Sequence, residues 1–452
     1  MALTFLHGFL LFVGVCFLNM VLKTASRGKY YAASRISWKG QFFNLALWPE
    51  KLLKRKPAFR KITLQALQKA ALKGAKGLTD FEDTRYEEVY SKACEMMEKR
   101  KLSPLGQHIL FDTMTRRLVA RLRAKDELKK LPAGVLEKPM IPPVFVLGLP
   151  RTGTTFLHHL LSLDTKCRCP KTYELYDVVP RYPDDPIRDK KSRVKYVSEG
   201  ISMLKSIVPH IDAIHEIGAE EPEECLVSMA MDLPLLFGTM PAYMEQKALL
   251  TQIDFSFIYE SHQKILKLLA HQQSSEDKRW VLKCPMHLGF ISTILKVFPK
   301  GTRIIWTHRD PKSSIPSLCS LFQTMLEMHE AGDIALDEVG KTTLDFWAYM
   351  LQRADTDVSA LGSDSASTLG HVKYESLISD PVGTVRGIYK AFDWEFTSEY
   401  EQALTNYIAK NKEERASASK TRSSKHKYSL EQYALSEADI SEQAGWYSKK
   451  YL

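Results

Sequence analysis

The sequence predicts an α/β protein: a P-loop-like, doubly wound, mostly parallel sheet with flanking helices, preceded by a helical N-terminal region and a membrane anchor. Three observations carry this expectation. Short apolar runs, VFVLGL, RWVLKC and TRIIWTH, are separated by long stretches of helical periodicity, the pattern of parallel strands joined by crossover helices. The first run ends in a glycine-containing loop that opens into an apolar helix, GLPRTGTTFLHHLL. Residues 2–22 form an apolar stretch with no Asp, Glu, Lys or Arg, in which only His7 could carry a positive charge.

That stretch, ALTFLHGFLLFVGVCFLNMVL, has the length of about 20 residues that a helix needs to cross a bilayer. Lys23, Arg27 and Lys29 follow it and no Lys or Arg precedes it, so the positive-inside rule leaves the rest of the chain in the cytosol, on the endoplasmic reticulum or another endomembrane. A Golgi-luminal orientation is the alternative for the compartment, and a cleaved signal or transit peptide the competing reading of the segment. Residues 27–56 interleave basic side chains with Tyr30, Tyr31, Trp38, Phe42, Phe43 and Trp48, as an interfacial segment does; packing against the body of the protein is the other reading. From 57 to 131 the pattern is helical, with ITLQALQKAALKGAK basic and amphipathic and RYEEVYSKACEMMEKRKL mixed in charge. The proline-punctuated stretch ELKKLPAGVLEKPMIPP then marks a boundary. The chain thus divides into an anchor at 2–22, a basic interfacial and helical lead-in at 23–139, and a compact α/β domain at 140–452.

The formal net charge of +10 suits a protein that meets phosphates on a nucleotide, a membrane or a nucleic acid. The basic residues are dispersed and no zinc-finger, helix-turn-helix or RRM signature occurs, so no nucleic-acid partner is expected. Seven scattered cysteines form neither a disulfide framework nor paired zinc-ligand spacing, and no metal is expected.

In Gly148-Leu149-Pro150-Arg151-Thr152-Gly153-Thr154-Thr155 the glycines keep the G-x-x-x-x-G spacing of a phosphate loop, with the phosphate at the N-terminus of the next helix. Thr154 stands where a nucleotide triphosphatase needs lysine, which argues against an ATPase or kinase and against a magnesium requirement. Arg151 supplies charge from within the loop, and the hydroxyls of Thr152, Thr154 and Thr155 add donors for one phosphate-like group. A second strand pattern, RIIWTH, leads into Arg309-Asp310-Pro311, with Ser317 eight residues after Arg309. An arginine at a strand's C-terminal edge and a serine about two helical turns on can grip one phosphate.

The string PRTGTTFL closely resembles the 5'-phosphosulfate loop of sulfotransferases that use 3'-phosphoadenosine 5'-phosphosulfate (PAPS), and the R-D-P opening with its serine resembles their 3'-phosphate motif. The resemblance covers roughly residues 142–445 and fades between the two motifs. It implies a sulfotransferase in which Arg151, Thr152, Gly153, Thr154 and Thr155 hold the 5'-phosphosulfate, Phe156 stacks on adenine, and Arg309 and Ser317 bind the 3'-phosphate. Tyr374, in HVKYESLISDP, resembles a tyrosine near the adenine, and SKHKYSLEQYAL resembles the H-x-Y-S-L segment of the broad sulfotransferase group; around it, Arg422, Lys425 and Lys427 either close over the 3'-phosphate or form a solvated basic tail. PAPS is then a co-substrate, PAP its product.

Sulfuryl transfer needs a base for the acceptor and a cation for the leaving oxygen. Glu174, in CPKTYELYDVVP, is the favoured base by resemblance, and Lys283, at the end of RWVLKC, resembles the lysine that assists the leaving group. Cytosolic members carry a histidine two residues after that lysine; here Pro285 occupies the position and His287 follows, as a second base candidate or a helix cap. His215, in AIHEIGAEEPEEC, is the third, while most of Glu220, Glu221, Glu223 and Glu224 read as an acidic helix cap. The expected acceptor is a hydroxyl or amine on a sterol, lipid or glycan. A membrane-tethered PAP-binding protein without catalysis is the rival reading. Acceptor identity and oligomeric state are open at this level.

Overall fold

The computed structural model describes residues 31–32, 35–209, 211, 217–234, 246–421 and 429–452. The anchor expected at 2–22 lies outside them, as do His215, Arg422, Lys425 and Lys427. No helix among the described residues is long and apolar enough to cross a membrane.

Among the described residues seven strands occur in chain order: β1 (Tyr31–Ala32), β2 (Val144–Gly148), β3 (Cys167–Arg168), β4 (Arg279–Lys283), β5 (Arg303–His308), β6 (Ile334–Ala335) and β7 (Leu369–Lys373). Five form one sheet in the order β3-β4-β2-β5-β7, every pair parallel. β1 and β6 pair antiparallel in a separate ribbon. Strand β2 is buried along its whole length, as a central parallel strand covered on both faces must be, which is why VFVLG carries no polar side chain. Alternate side chains serve opposite faces: Phe145 and Leu147 enter one core with Ile304 and Trp306, whereas Val144 and Val146 enter another with Val281, Ile305 and Val372.

The lead-in folds as α1 (Trp38–Leu52), α2 (Leu64–Gly74), α3 (Arg85–Glu98) and α4 (Pro104–Lys130). Leu67, Tyr86, Tyr90, Met114 and Leu118 belong to the same continuous core as Phe145 and Trp306. Arg121 on α4 forms a buried ion pair with Asp232. The proline-rich stretch before residue 144 is therefore a change in chain path, and packing continues across it.

In the α/β part, α5 (Thr154–Leu161) follows β2, α6 (Thr172–Tyr176) and α7 (Pro186–Ile207) follow β3, and α8 (Ser256–Gln272) precedes β4. Then come α9 (Pro311–His329), α10 (Leu336–Ser359), α11 (Pro381–Ala391), α12 (Ser398–Thr421) and α13 (Glu437–Tyr451). Three of these helices start on an Asp-Pro pair. Asp185, Asp310 and Asp380 each accept from a backbone N–H of the first turn, and the proline occupies the first helical position, where no N–H is needed.

Register aligns Gly148 of β2 with Thr307 of β5, Val146 with Lys283 of β4, and His308 with Lys373 of β7. The carboxyl ends of the four strands thus deliver the glycine loop, Lys283, Arg309 and Tyr374 to one edge. The chain leaves β2 toward β3 and later returns to its other side at β5, so this edge is the switch point where open α/β sheets bind ligands.

Candidate active site

The loop after β2 is held by close approach to β5. A Cβ on Gly148 would overlap the Thr307 hydroxyl and carbonyl oxygens, so this contact demands glycine. Thr152 is fully buried; its Oγ1 donates to the Leu149 carbonyl at 2.6 Å and lies 2.6 Å from Thr307 Oγ1. That hydroxyl therefore secures the loop to the sheet, which corrects the expectation that it faces the phosphate. Arg151 is exposed and adopts a left-handed backbone (φ 71°), a conformation that costs a non-glycine residue about 1–2 kcal/mol. Gly153 caps α5 at φ 88°, and a Cβ there would stand 2.9 Å from Leu377 Cδ2 and 3.2 Å from Tyr374 Cδ2. Thr154 is buried and Thr155 half-buried in the first turn, whose backbone N–H groups have no partner within the helix.

Arg309 leaves the end of β5 and joins the two motifs. Its Nη1 donates to the Arg151 carbonyl at 2.9 Å, and its guanidinium lies 4.2 Å from the centre of the Tyr374 ring. Arg151, Gly153, Arg309 and Tyr374 are thereby gathered at one place. A cradle that a single Cβ would fill, flanked by two arginines and a half-buried aromatic ring, fits an anionic nucleotide. Ser317 lies further along α9, half-buried, and Phe156 packs, half-buried, against the core that contains Leu157 and Leu160.

Beside the loop, Lys283 is 1% exposed and its Nζ sits 2.7 Å from Glu224 Oε1. Burial alone would lower its pKa, but the carboxylates of Glu224 and Glu223 outweigh that and raise it, so the ammonium keeps its charge. The Cys225 amide bonds the Lys283 carbonyl at 3.0 Å and ties the Glu224 segment to the strand. His159, on α5, has its Nδ1 3.3 Å from Tyr407 Oη and 3.7 Å from Glu221. Burial, then the charges of Lys283 and Lys171, lower its pKa to about 4, so it is neutral at pH 7.

Two expected bases are placed elsewhere in role. Glu174 is 1% exposed, and its oxygens accept from Arg168 Nη2 (2.7 Å), the Lys171 amide (2.9 Å) and Gln273. A buried carboxylate so occupied pins the start of α6, a structural role that sets it against the base expectation for Glu174. His287 lies in the turn Pro285–Phe290, is fully buried, and bonds Tyr259 Oη through Nδ1 at 2.9 Å, with the Phe145 ring 5.0 Å away. Burial first, then His262 and Lys283, hold it neutral, and it belongs to the core behind the edge. The group that sequence reasoning passed over is Glu224. Its signal was present in the EEPEE run, which reads as a helix cap until Lys283 is seen beside it.

Comparison with known proteins agrees with this geometry. Residues 142–398 match the Sulfotransferase family. The omega-hydroxy-beta-dihydromenaquinone-9 sulfotransferase Stf3 of Mycobacterium tuberculosis is 23% identical over 269 residues, 59% of this chain and 67% of that protein. The crystal structure of sulfotransferase STF1 from Mycobacterium tuberculosis H37Rv superposes with a TM-score of 0.66 at 26% identity, over 85% of this chain and 98% of that one. That of STF9 from Mycobacterium avium gives 0.71 at 24% identity, over 87% and 98%, a likeness of fold. Since the match takes in both phosphate motifs, Lys283 and Glu224, and more than half of the chain, this protein belongs to the sulfotransferase family.

Proposed function

We propose that this chain transfers a sulfuryl group from PAPS to a hydroxyl of a membrane lipid or sterol. The observation that carries the donor reading is the Arg309 bond to the Arg151 carbonyl, with Tyr374 under the guanidinium: it makes one anion-binding pocket of two motifs. Arg151 and the amides of the loop and first turn of α5 hold the 5'-phosphosulfate, Arg309 and Ser317 the 3'-phosphate, and Tyr374 and Phe156 flank the adenine. The lipid acceptor is supported by the apolar segment 2–22, read as a single-pass anchor with a cytosolic domain, and by the lipid named for Stf3.

Bound PAPS would supply the sulfuryl group, the acceptor oxygen bonding to sulfur as the bond from sulfur to the bridging oxygen breaks. In the free protein Glu224 holds Lys283. When Lys283 turns to the bridging oxygen and stabilises its developing charge, Glu224 is released to take the acceptor proton. Stored as an ion pair, the acid and the base are both charged and adjacent before the acceptor arrives.

The test is the thermal shift of the full chain in detergent with PAP, ADP and ATP–magnesium, followed by transfer from PAPS to hydroxylated lipids. A ligand at about 1,000 times its dissociation constant adds roughly 4 kcal/mol of stability. Stabilisation by PAP well above ADP is expected; equal shifts would overturn the donor reading. PAP binding without transfer to any lipid, sterol, glycan or amine would favour a nucleotide-binding protein without catalysis.

A further inference from the structure

Helix α1 has two faces. Gly40 packs on Ile207, Asn44 Oδ1 accepts from the Leu105 amide at 2.8 Å, Lys51 Nζ donates to the Leu102 carbonyl at 2.7 Å, and Phe43 and Leu47 meet the core. The opposite face carries Trp38 (72% exposed), Phe42 (60%), Leu45 (44%), Trp48 (56%) and Leu52 (64%), a helical stripe that continues into Leu53 (56%). Six of the twelve large apolar side chains exposed among the described residues stand on this helix and its C-cap, Leu53. Scattered exposed apolar residues need no explanation, but a contiguous row of them does.

Charge surrounds the stripe. Residues 35–61 contain eight Lys or Arg and a single acid, Glu50. Arg35 and Lys61 are paired with Glu327 and Glu98. Among the described residues Lys39, Lys54, Arg55, Lys56 and Arg60 form no ion pair, and all five are exposed. A cleft of about 320 Å³ at the C-terminal end of the helix is lined by five basic residues, Lys51, Lys54, Arg60, Lys61 and Arg100, and one acid, Glu98.

The described residues just before the helix are fastened to the body. β1 pairs with β6, the Arg35 amide and Nε bond Glu327 at 3.0 and 2.9 Å, and Ser37 caps α1 and bonds the Ser206 carbonyl. Eight residues separate the end of the apolar segment 2–22 from Tyr31, a reach of at most about 30 Å. A bilayer entered by that segment therefore passes close to α1.

We infer that the outer face of α1 lies in the plane of an anionic membrane surface, its apolar stripe at the acyl boundary and its basic residues among the headgroups. A polar face of lysine and arginine around a Trp/Phe/Leu stripe is the composition such interfacial helices use. The inference rests on the membrane-lipid reading above and deepens it by naming the surface through which the enzyme meets the bilayer that holds its acceptor.

The protein carries its own reporters. Trp280, Trp306 and Trp347 are buried and Trp394 and Trp446 half-buried, which leaves Trp38 and Trp48 as the exposed tryptophans; 2–22 contains none. The full chain is floated with vesicles of phosphatidylcholine and phosphatidylserine, with and without bromine on the acyl chains, and compared with the doubly substituted Trp38→Phe, Trp48→Phe chain. Expected is a loss of fluorescence with brominated lipid that the double variant does not show and that shrinks when phosphatidylserine is omitted. Flotation with equal quenching in both chains would overturn the inference while leaving the anchor standing, and would point to a protein covering the stripe. A chain that does not float overturns both. The PAP thermal shift of the same preparation reports the donor reading separately.

Discussion

Arg309 and Arg151, 158 positions apart, are joined by a hydrogen bond of 2.9 Å from the guanidinium of one to the backbone carbonyl of the other. The bond links the C-terminal edges of β2 and β5 and supports a residue whose left-handed backbone carries strain. Arg309 thus props the loop, and in the proposed reading it also supplies charge for a nucleotide whose other end that loop holds.

Arg309→Ala is accordingly expected to weaken PAP by about 10- to 100-fold, since a hydrogen bond to a charged group contributes about 1.5–3 kcal/mol. Arg309→Lys keeps the charge and loses both the bond geometry and the stack on Tyr374, so its affinity falls between the two. Titration calorimetry measures this. An Arg309→Ala chain that binds PAP as well as the parent would remove Arg309 from the pocket.

Gly153→Ala tests the cradle. At φ 88° an alanine is strained, and its Cβ meets Leu377 at 2.9 Å and the Tyr374 ring at 3.2 Å. A loss of about 1–3 kcal/mol of stability is expected. Displacing Tyr374 also frees the Arg309 guanidinium, so PAP affinity should fall with stability. Urea denaturation and PAP titration of one sample check both; unchanged stability would show that the turn is looser than its backbone angles state.

What could be read along the chain was what depends on nearest neighbours. β2, β4 and β5 are apolar runs buried on both faces, and the loop and the R-D-P turn are local motifs, so the sheet edge and the two loops that meet there were legible. Roles decided by distant neighbours were not. Glu174 sits where a base could stand, but Gln273, 99 positions away, closes over it together with Arg168. Glu224 finds Lys283 across 59 positions, and no spacing announces that pair. His287 follows the right strand, yet the turn at Pro285–Phe290 swings its ring inward to Tyr259.

The two carboxylates should therefore separate cleanly under substitution. Glu224→Gln leaves an oxygen to accept from Lys283 but cannot take a proton, so kcat should fall about 100-fold or more with the PAP shift retained. Glu174→Ala leaves Arg168 buried without its carboxylate and should cost about 3–5 kcal/mol of stability. Glu174→Gln, which keeps an acceptor for Arg168, should hold kcat within a few fold. A folded Glu174→Gln chain with kcat lost and Glu224→Gln active would restore Glu174 as the base.

Acid should unfold the protein through its histidines. Burial holds His159 at about 4, and His262 and His308 at about 3, while His158 and His287 are also well below the usual value of 6.5. In the unfolded chain all five titrate near 6.5. Between that pH and about 4 the unfolded state binds more protons than the folded one, so stability is fully present above about 6.5 and is lost as pH falls. Each group contributes a slope that approaches about 1.4 kcal/mol per pH unit. Calorimetric Tm should be flat above pH 7 and fall steeply below 6. His262 bonds Ser228 and lies away from the loop, so His262→Gln should flatten that fall by one group's share without moving PAP affinity at pH 7.5. A Tm that holds to pH 5 would mean that these rings take up protons while the fold is intact, and that their burial does not keep them neutral.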